Sequence, residues 1–315
     1  NDKFGYSVAI DGDTVIVGAF TEDSSGNDAG AAYIFTRSVN DVWSQQQKIV
    51  GVDTSGNDQF GYSVAIDGDT VIVGAIYEDS SGNDAGAAYI FTRSENVWSH
   101  QQKIVGNDTS GNDFFGNSVA IDGDTVIVGA ATEDSSGYNA GAAYIFTRTG
   151  IKWTQQAKIV GVDTSGNDLF GYSVAIDGYT VIVGAVSEDS SGDYAGAAYI
   201  FTRTGSTWKQ QQKIVGNDTS GNDQFGYSVA IDGDTVIVGA RIEDSSGNNA
   251  GAAYIFTRSV NVWSQQQKIV GEDTKEYDYF GTSVAIDGDT VIVGRVNVGF
   301  SVIDAGAAYI FTYTS

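Results

Sequence analysis

The chain has no cysteine, no methionine and no proline, and a single histidine. Without cysteine there are no disulfides, no thiolate metal sites and no cysteine nucleophile. The lack of staples leaves the compartment open, because a large repeat core is stable without them. No apolar run approaches the length of a spanning helix, no segment reads as a signal, and no stretch has helical periodicity. Basic residues are scarce: 16 against 40 acidic ones, for a net charge of −24 in 315 residues. Such a surface repels nucleic acid and anionic lipid headgroups. The chain opens at Asn1 rather than Met, as expected of a processed product or a piece of something longer.

What fills the chain instead is one unit, repeated. The string Phe-Gly-x-Ser-Val-Ala-Ile-Asp-Gly-x-Thr-Val-Ile-Val-Gly begins at Phe4, Phe60, Phe115, Phe170, Phe225 and Phe280. Ala-Gly-Ala-Ala-Tyr-Ile-Phe-Thr also occurs six times, and Trp43, Trp98, Trp153, Trp208 and Trp263 recur every 55 residues. A period of this size marks a repeat architecture.

In the first unit, Phe4 to Ile10 and Thr14 to Ala19 are β-branched apolar runs on either side of Asp11-Gly12-Asp13. Asp-Gly between two such runs predicts a hairpin, since glycine accepts the positive φ of a tight turn. Ala31 to Arg37 predicts a third strand, with Tyr33 and Phe35 on one side and Ile34 on the other. Trp43 to Val50 predicts a fourth, whose Gln45-Gln46-Gln47 suits a partly exposed outer strand. Each unit is thus a four-stranded antiparallel meander, apolar on both faces. Six of them cover those faces by stacking as the blades of an all-β, six-bladed β-propeller. The sixth unit lacks its outer strand within this sequence, so Ala307 to Thr312 is expected to be an unpaired edge. A neighbouring segment or self-assembly would complete it.

These residues resemble the FG-GAP repeat of integrin α subunits and many extracellular proteins, in Phe4-Gly5, Val17-Gly18-Ala19 and Gly30 to Phe35, six times over. The resemblance spans essentially the whole chain. It implies a non-catalytic, extracellular or cell-surface binding and adhesion module, with ligand at one loop end. Two features depart from the family. The proline of the motif is replaced by Phe20, Ile76, Ala131, Val186 and Arg241, and the integrin calcium loop between strands one and two is absent.

Loops two–three and the four–one linkers emerge at one end of each sheet and carry most of the acids. One loop reads Asp23-Ser-Ser25-Gly-Asn27-Asp28, and a linker reads Asp53-Thr-Ser55-Gly-Asn57-Asp58. Oxygen-bearing side chains at alternate positions suit calcium. The same residues make self-bonded turns. Both readings extend to Asp79, Asp134, Asp189 and Asp244 in the loops and to Asp108, Asp163 and Asp218 in the linkers. The fifth linker, Asp273 to Asp278, and the segment Arg295 to Asp304 break the pattern.

The copies differ mainly at the residue before Phe-Gly and at the start of loop two–three, both at this acidic end. Phe20, Tyr77, Phe114, Leu169, Arg241 and Tyr279 stand there and are the candidate ligand-binding residues. A protein or glycan ligand is the expected partner. A structural subunit of a surface layer or fibre, and a multivalent lectin, are the alternatives. His100, in Trp98-Ser-His-Gln-Gln, reads as a surface substitution of a glutamine. No serine has a histidine or lysine partner at a recognisable spacing, so no enzyme is expected. Asn107 and Asn217 begin glycosylation triplets.

Overall fold

The computed structural model describes residues 2–296 and 306–313. Part of the divergent segment that begins at Arg295 therefore lies outside the described residues. The chain is all-β, with no helix among the described residues, and the strands form six antiparallel sheets in simple sequence order. Blade one holds β1 (Val8–Asp11), β2 (Thr14–Ala19), β3 (Ala31–Arg37) and β4 (Trp43–Ile49). Blade two holds β5 (Phe60–Asp67), β6 (Thr70–Ala75), β7 (Ala87–Ser94) and β8 (Val97–Ile104). Blade three holds β9 (Val119–Asp122), β10 (Thr125–Ala130), β11 (Ala142–Thr149) and β12 (Lys152–Ile159). Blade four holds β13 (Phe170–Asp177), β14 (Thr180–Ala185), β15 (Ala197–Thr204) and β16 (Thr207–Ile214). Blade five holds β17 (Phe225–Asp232), β18 (Thr235–Ala240), β19 (Ala252–Ser259) and β20 (Val262–Ile269). Blade six has three strands, β21 (Ser283–Asp287), β22 (Thr290–Arg295) and β23 (Ala307–Thr312), with β23 at the edge.

Two compact units divide the chain: Asn1–Asp134 with Ala142–Ile159, and Ser135–Gly141 with Val160–Ser315. The first holds blades one to three, and the second holds blades four to six together with one loop of blade three.

The hairpin forms where the Asp-Gly pair stands, but its turn is shifted by one residue. Asp11 pairs with Thr14, so Gly12 and Asp13 are the turn, and only Gly12 has positive φ (52°). That is the glycine-first pattern of a type II′ hairpin. The first strand of blade one is shorter than expected, starting at Val8 rather than Phe4. In blade two it does begin at Phe60, and the register skips between Phe60 and Ser63, leaving Gly61 and Tyr62 as a bulge.

That bulge explains the Phe-Gly and Val-Gly motifs together. A Cβ on Gly18 would stand 2.0 Å from the Gly61 carbonyl oxygen, and one on Gly61 would stand 2.3 Å from that of Ala31. Two backbones touch there, and only glycine leaves the room. Phe60, fully buried, meets Tyr89 and Phe91 of its own blade edge-on, with ring centroids 5.4 and 6.1 Å apart.

Within each unit the core lies between successive blades. Ile16, Ile34 and Ile49 of blade one pack against Phe60, Val64, Val71, Tyr89, Phe91 and Trp98 of blade two. In the second unit Ile182, Ile200 and Ile214 pack likewise on blade five, and Ile237, Ile255 and Ile269 on blade six. Each such buried side chain contributes about 1.5–3 kcal/mol.

The outer strand is partly exposed, as expected, and its glutamines also bond the next blade. Gln46 bulges out of register, and its carboxamide oxygen accepts from the Trp98 indole at 3.3 Å. Gln47 bonds the Trp98 main chain in both directions. The polar run holds a seam between the two blades.

Candidate functional site

Loop two–three of one blade and the linker to the next blade lie side by side. The N–H groups of Asn57, Gln59 and Phe60 donate to the carbonyls of Asn27, Asp28 and Ala29 at 2.7, 3.1 and 2.9 Å. Reaching this alignment forces the linker into left-handed backbone on both sides of Asp58, at Asn57 (φ 73°) and Gln59 (φ 56°). The same conformation holds at Lys3, Phe114, Leu169, Gln224 and Tyr279. For a side chain as large as leucine or phenylalanine it costs about 1–2 kcal/mol. The variable residue before Phe-Gly is therefore displayed from strained backbone in every repeat.

Asp23 and Asp28 each turn one carboxylate oxygen onto their own loop. Asp23 Oδ1 accepts from the Asp28 N–H at 2.8 Å, and the Asn27 carboxamide donates to Asp28 Oδ2 at 3.1 Å. Asp79, Asp189 and Asp244 accept in the same way from the N–H five residues on, at 2.7 to 2.8 Å, and Asp134 occupies the corresponding position in blade three. Ser25 is exposed. In the linker, Asp58 accepts from the Ser55 N–H at 2.7 Å and from its hydroxyl at 3.3 Å. These are the self-bonded turns that the residue pattern also encodes.

The cation beside the linker acid is a lysine. Asp53 accepts from the Tyr89 hydroxyl at 2.7 Å and from Lys103 Nζ at 3.0 Å, and Lys103 also holds buried Glu78 at 2.6 Å. Asp108, Asp163 and Asp218 have the same tyrosine and lysine partners one repeat on. Burial opposes ionisation of Asp53, but the bonds from Tyr89 and Lys103 prevail and lower its pKa. Among the described residues of blade six Arg295 takes this place, pairing with Asp278 at 2.5 Å and reaching Asp273 at 3.5 Å. Among the described residues no three carboxylate or imidazole groups converge on a point that could hold a metal. The donor set beside each linker fits an ammonium group.

The lysines also approach serines, which the sequence spacing did not reveal. Lys213 Nζ lies 2.9 Å from Ser190 Oγ, and Ser190 donates to Glu188 at 2.9 Å. Such a pair suggests a nucleophile and its base. Burial of Lys213 works against its charge, but Glu188 and Asp163 outweigh it and raise the pKa. The lysine stays an ammonium and cannot take the serine proton.

The variable side chains gather in small clusters at this end, half-buried except for the exposed Tyr6. In the first unit Phe20 meets Tyr6 at 4.7 Å and Tyr62 at 5.4 Å between centroids, and Tyr77 meets Phe114 at 5.2 Å. In the second unit the Arg241 guanidinium lies 4.3 Å from the Tyr227 ring centre and 5.6 Å from that of Tyr279. It donates to Gln224 Oε1 and to the Tyr227 hydroxyl, both at 2.9 Å. Tyr172 and Tyr227 pair at 5.0 Å. Leu169 shares the left-handed backbone of the set. Tyr6, Tyr62, Tyr172 and Tyr227 were not among the residues expected here. They occupy the variable third position of Phe-Gly-x-Ser, so the signal was present in the repeat itself.

The FG-GAP repeat family model matches residues 1–35, 43–91, 98–146, 153–201, 208–256 and 263–311. The chain belongs to the FG-GAP repeat family, and its fold class is the β-propeller. From the second match onward each repeat begins near the outer strand of one blade and ends in the third strand of the next, so repeat and blade are out of phase. A comparison with curated protein sequences finds no match. Among solved structures, a putative 6-phosphogluconolactonase from Bacteroides uniformis ATCC 8492 aligns over 98% of this chain and 85% of its own, with a TM-score of 0.61 and 11% identity. At that identity the likeness is one of fold alone. A propeller of this family is a framework for binding, with loops on a rigid scaffold.

Proposed function

We propose that this chain is an extracellular, non-catalytic binding and adhesion module that engages a protein or glycan through its acidic loop end. One observation carries the reading. The positions that differ between near-identical repeats are the ones that carry Phe20, Tyr77, Phe114, Arg241 and Tyr279, on left-handed or loop backbone, packed into aromatic and arginine clusters. Tyrosine and arginine give large, rigid, amphipathic contact area, and they dominate binding hot spots. Backbone strain retained repeat after repeat supports a role in display. The lysine-bound acids around the clusters keep the surface hydrated and disfavour anionic partners.

The test is retention of the labelled chain on a glycan array and on a panel of immobilised secreted proteins. Phe20→Ser, Tyr77→Ser and Arg241→Ser together are expected to abolish retention. Val39→Ser, Ile151→Ser and Val260→Ser, at the opposite loop end, are expected to leave it intact. Loss from the second set alone would sink the reading. Calcium enters as a separate arm. Because Asp23 and Asp58 already accept N–H groups within their own loops, calcium is expected to raise the melting temperature no more than magnesium does.

A further inference from the structure

The linkers that leave an outer strand open with Gly-x-Asp-Thr, and x is Val52, Asn107, Val162, Asn217 or Glu272. The places around x serve the fold. The aspartate accepts from a tyrosine and a lysine, Tyr144 and Lys158 for Asp108, Tyr254 and Lys268 for Asp218. The threonine N–H closes a tight turn, from Thr109 to the Gly106 carbonyl at 3.2 Å and from Thr219 to that of Gly216 at 3.1 Å. The residue at x faces solvent in all five linkers. Val52 is 65% exposed there and Val162 82%.

Asn107 and Asn217 give their main-chain N–H to Gln155 and Gln265, each at 2.8 Å, so the backbone is held. Their carboxamides have no hydrogen-bond partner among the described residues. Elsewhere an exposed asparagine is used locally. Asn27 and Asn83 donate to the following aspartate at 3.1 and 2.9 Å, and Asn248 donates to the Tyr277 hydroxyl at 2.7 Å. No such bond accounts for Asn107 or Asn217, and the valines at the same place show that the turn does not require asparagine. What the two share is the triplet Asn-Asp-Thr, an acceptor for N-linked sugar.

We propose that Asn107 and Asn217 each carry an N-linked glycan. The donor is an oligosaccharide on a lipid diphosphate. Asparagine Nδ2 bonds to the anomeric carbon, the bond from that carbon to the phosphate oxygen breaks, the lipid diphosphate leaves, and the amide gives up a proton. The proposal rests on the extracellular reading, because only a chain in a secretory pathway meets this donor. The glycans are bulky and solubilising. They stand just past β8 and β16, at the outer-strand end of their linkers, whereas Phe114 and Gln224 stand at the first-strand end. The displayed side chains therefore stay open to a ligand.

The test is the full chain behind a secretory leader in a eukaryotic host, read by intact mass and peptide mapping of cell-held and secreted material. The wild type is expected to exceed the 33.1 kDa of the bare chain by two glycans, and a peptide N-glycosidase removes both and leaves aspartate at each site. Asn107→Val and Asn217→Val each lose one glycan and keep the fold, since valine already stands at this place in two linkers. Thr109→Val loses the same glycan as Asn107→Val with the asparagine still present. The Thr109 hydroxyl is buried without a hydrogen-bond partner, so its removal strands nothing. Val52→Asn completes the triplet with Asp53 and Thr54 and gains a third glycan. A wild type at the bare mass overturns the proposal, and so does a glycan count that fails to follow these substitutions. The supplied leader brings the chain to the donor wherever it resides natively, and ligand retention is measured on chain made in bacteria without glycans. Failure of either test therefore leaves the other reading standing.

Discussion

The side chain of Gln47 and the main chain of Trp98 bond each other in both directions: the Trp98 N–H donates to Gln47 Oε1 at 2.9 Å, and Gln47 Nε2 donates to the Trp98 carbonyl at 2.7 Å. The pair joins the outer strands of two blades across 51 residues of sequence. It recurs between Gln102 and Trp153 and between Gln212 and Trp263. Removing the carboxamide strands an N–H and a carbonyl at a half-buried seam. Gln102→Ala is therefore expected to cost about 1–3 kcal/mol in a denaturant titration. Gln102→Glu keeps the acceptor but loses the donor and puts a carboxylate against a carbonyl, so it should cost at least as much. An alanine variant indistinguishable from wild type would show that water replaces the contact without loss.

Asp113, Asp168 and Asp223 are pushed up to about 6, first by burial and then by the charges of Glu133, Glu188 and Glu243, against bonds from their serines. An acid whose folded pKa lies above its unfolded value stabilises the fold while protonated. That contribution is complete below an unfolded pKa of about 4 and is lost as the pH rises through about 6. Asp108, Asp163 and Asp218 run the other way. Burial opposes their ionisation, but the bonds from lysine and tyrosine lower their pKa, so their stabilisation is present above about 4 and lost on acidification. Melting temperature is expected to peak near pH 4, about the unfolded value at which the two contributions cross, and to decline as the pH rises through about 6. The combined changes Asp113→Asn, Asp168→Asn and Asp223→Asn should flatten that decline. A melting temperature that climbs steadily from pH 5 to about 7 would rule this out.

The strands were legible because each unit is punctuated. Gly12 marks the hairpin, and the run from Thr14 to Ala19 matches β2 residue for residue. Trp43 opens β4 as expected. What the sequence hid are relations between repeats. Gln45-Gln46-Gln47 reads correctly as part of a partly exposed outer strand, but its contact with Trp98 is not visible, because that partner lies a full repeat away. Lys213 and Ser190 meet across 23 residues, a separation no local motif reports. The lysine near the end of each outer strand was nevertheless a visible signal: a constant cation in a strongly acidic chain has an acid to hold.

Val260 is in left-handed backbone (φ 49°) at the turn between β19 and β20, and its side chain is almost fully exposed. Asn261 follows with φ 67°, so both turn residues have positive φ, the type I′ arrangement that asparagine and glycine favour. A β-branched residue is poorly suited to that conformation, and no packing offsets the cost. Val260→Asn or Val260→Gly is expected to stabilise the chain by about 1 kcal/mol. The check is the denaturation midpoint at constant slope. A loss of stability would mean that the valine packs on something in solution.

His100 is not the simple surface replacement that its sequence context indicates. At the equivalent place in the next three blades a glutamine oxygen accepts a linker N–H: Gln155 from Asn107, Gln210 from Val162 and Gln265 from Asn217, at 2.8 to 2.9 Å. His100 instead packs against Tyr89 and Phe91, with centroids 6.0 and 5.5 Å away, and its Nε2 is buried without a hydrogen-bond partner. Burial lowers its pKa, against the pull of the Asp53 charge. A base whose folded pKa is depressed takes up its proton more readily when unfolded, so stability falls as the pH drops through the unfolded value of about 6.5. His100→Gln supplies the acceptor that the linker N–H of Val52 would meet, by analogy with Asn107. It is expected to stabilise the chain by about 1 kcal/mol at neutral pH, and by more at pH 5, where the histidine penalty grows. A gain of equal size at both values would assign the effect to the hydrogen bond alone. A loss at both would mean that the edge-on contacts with Tyr89 and Phe91 outweigh the unpaired nitrogen.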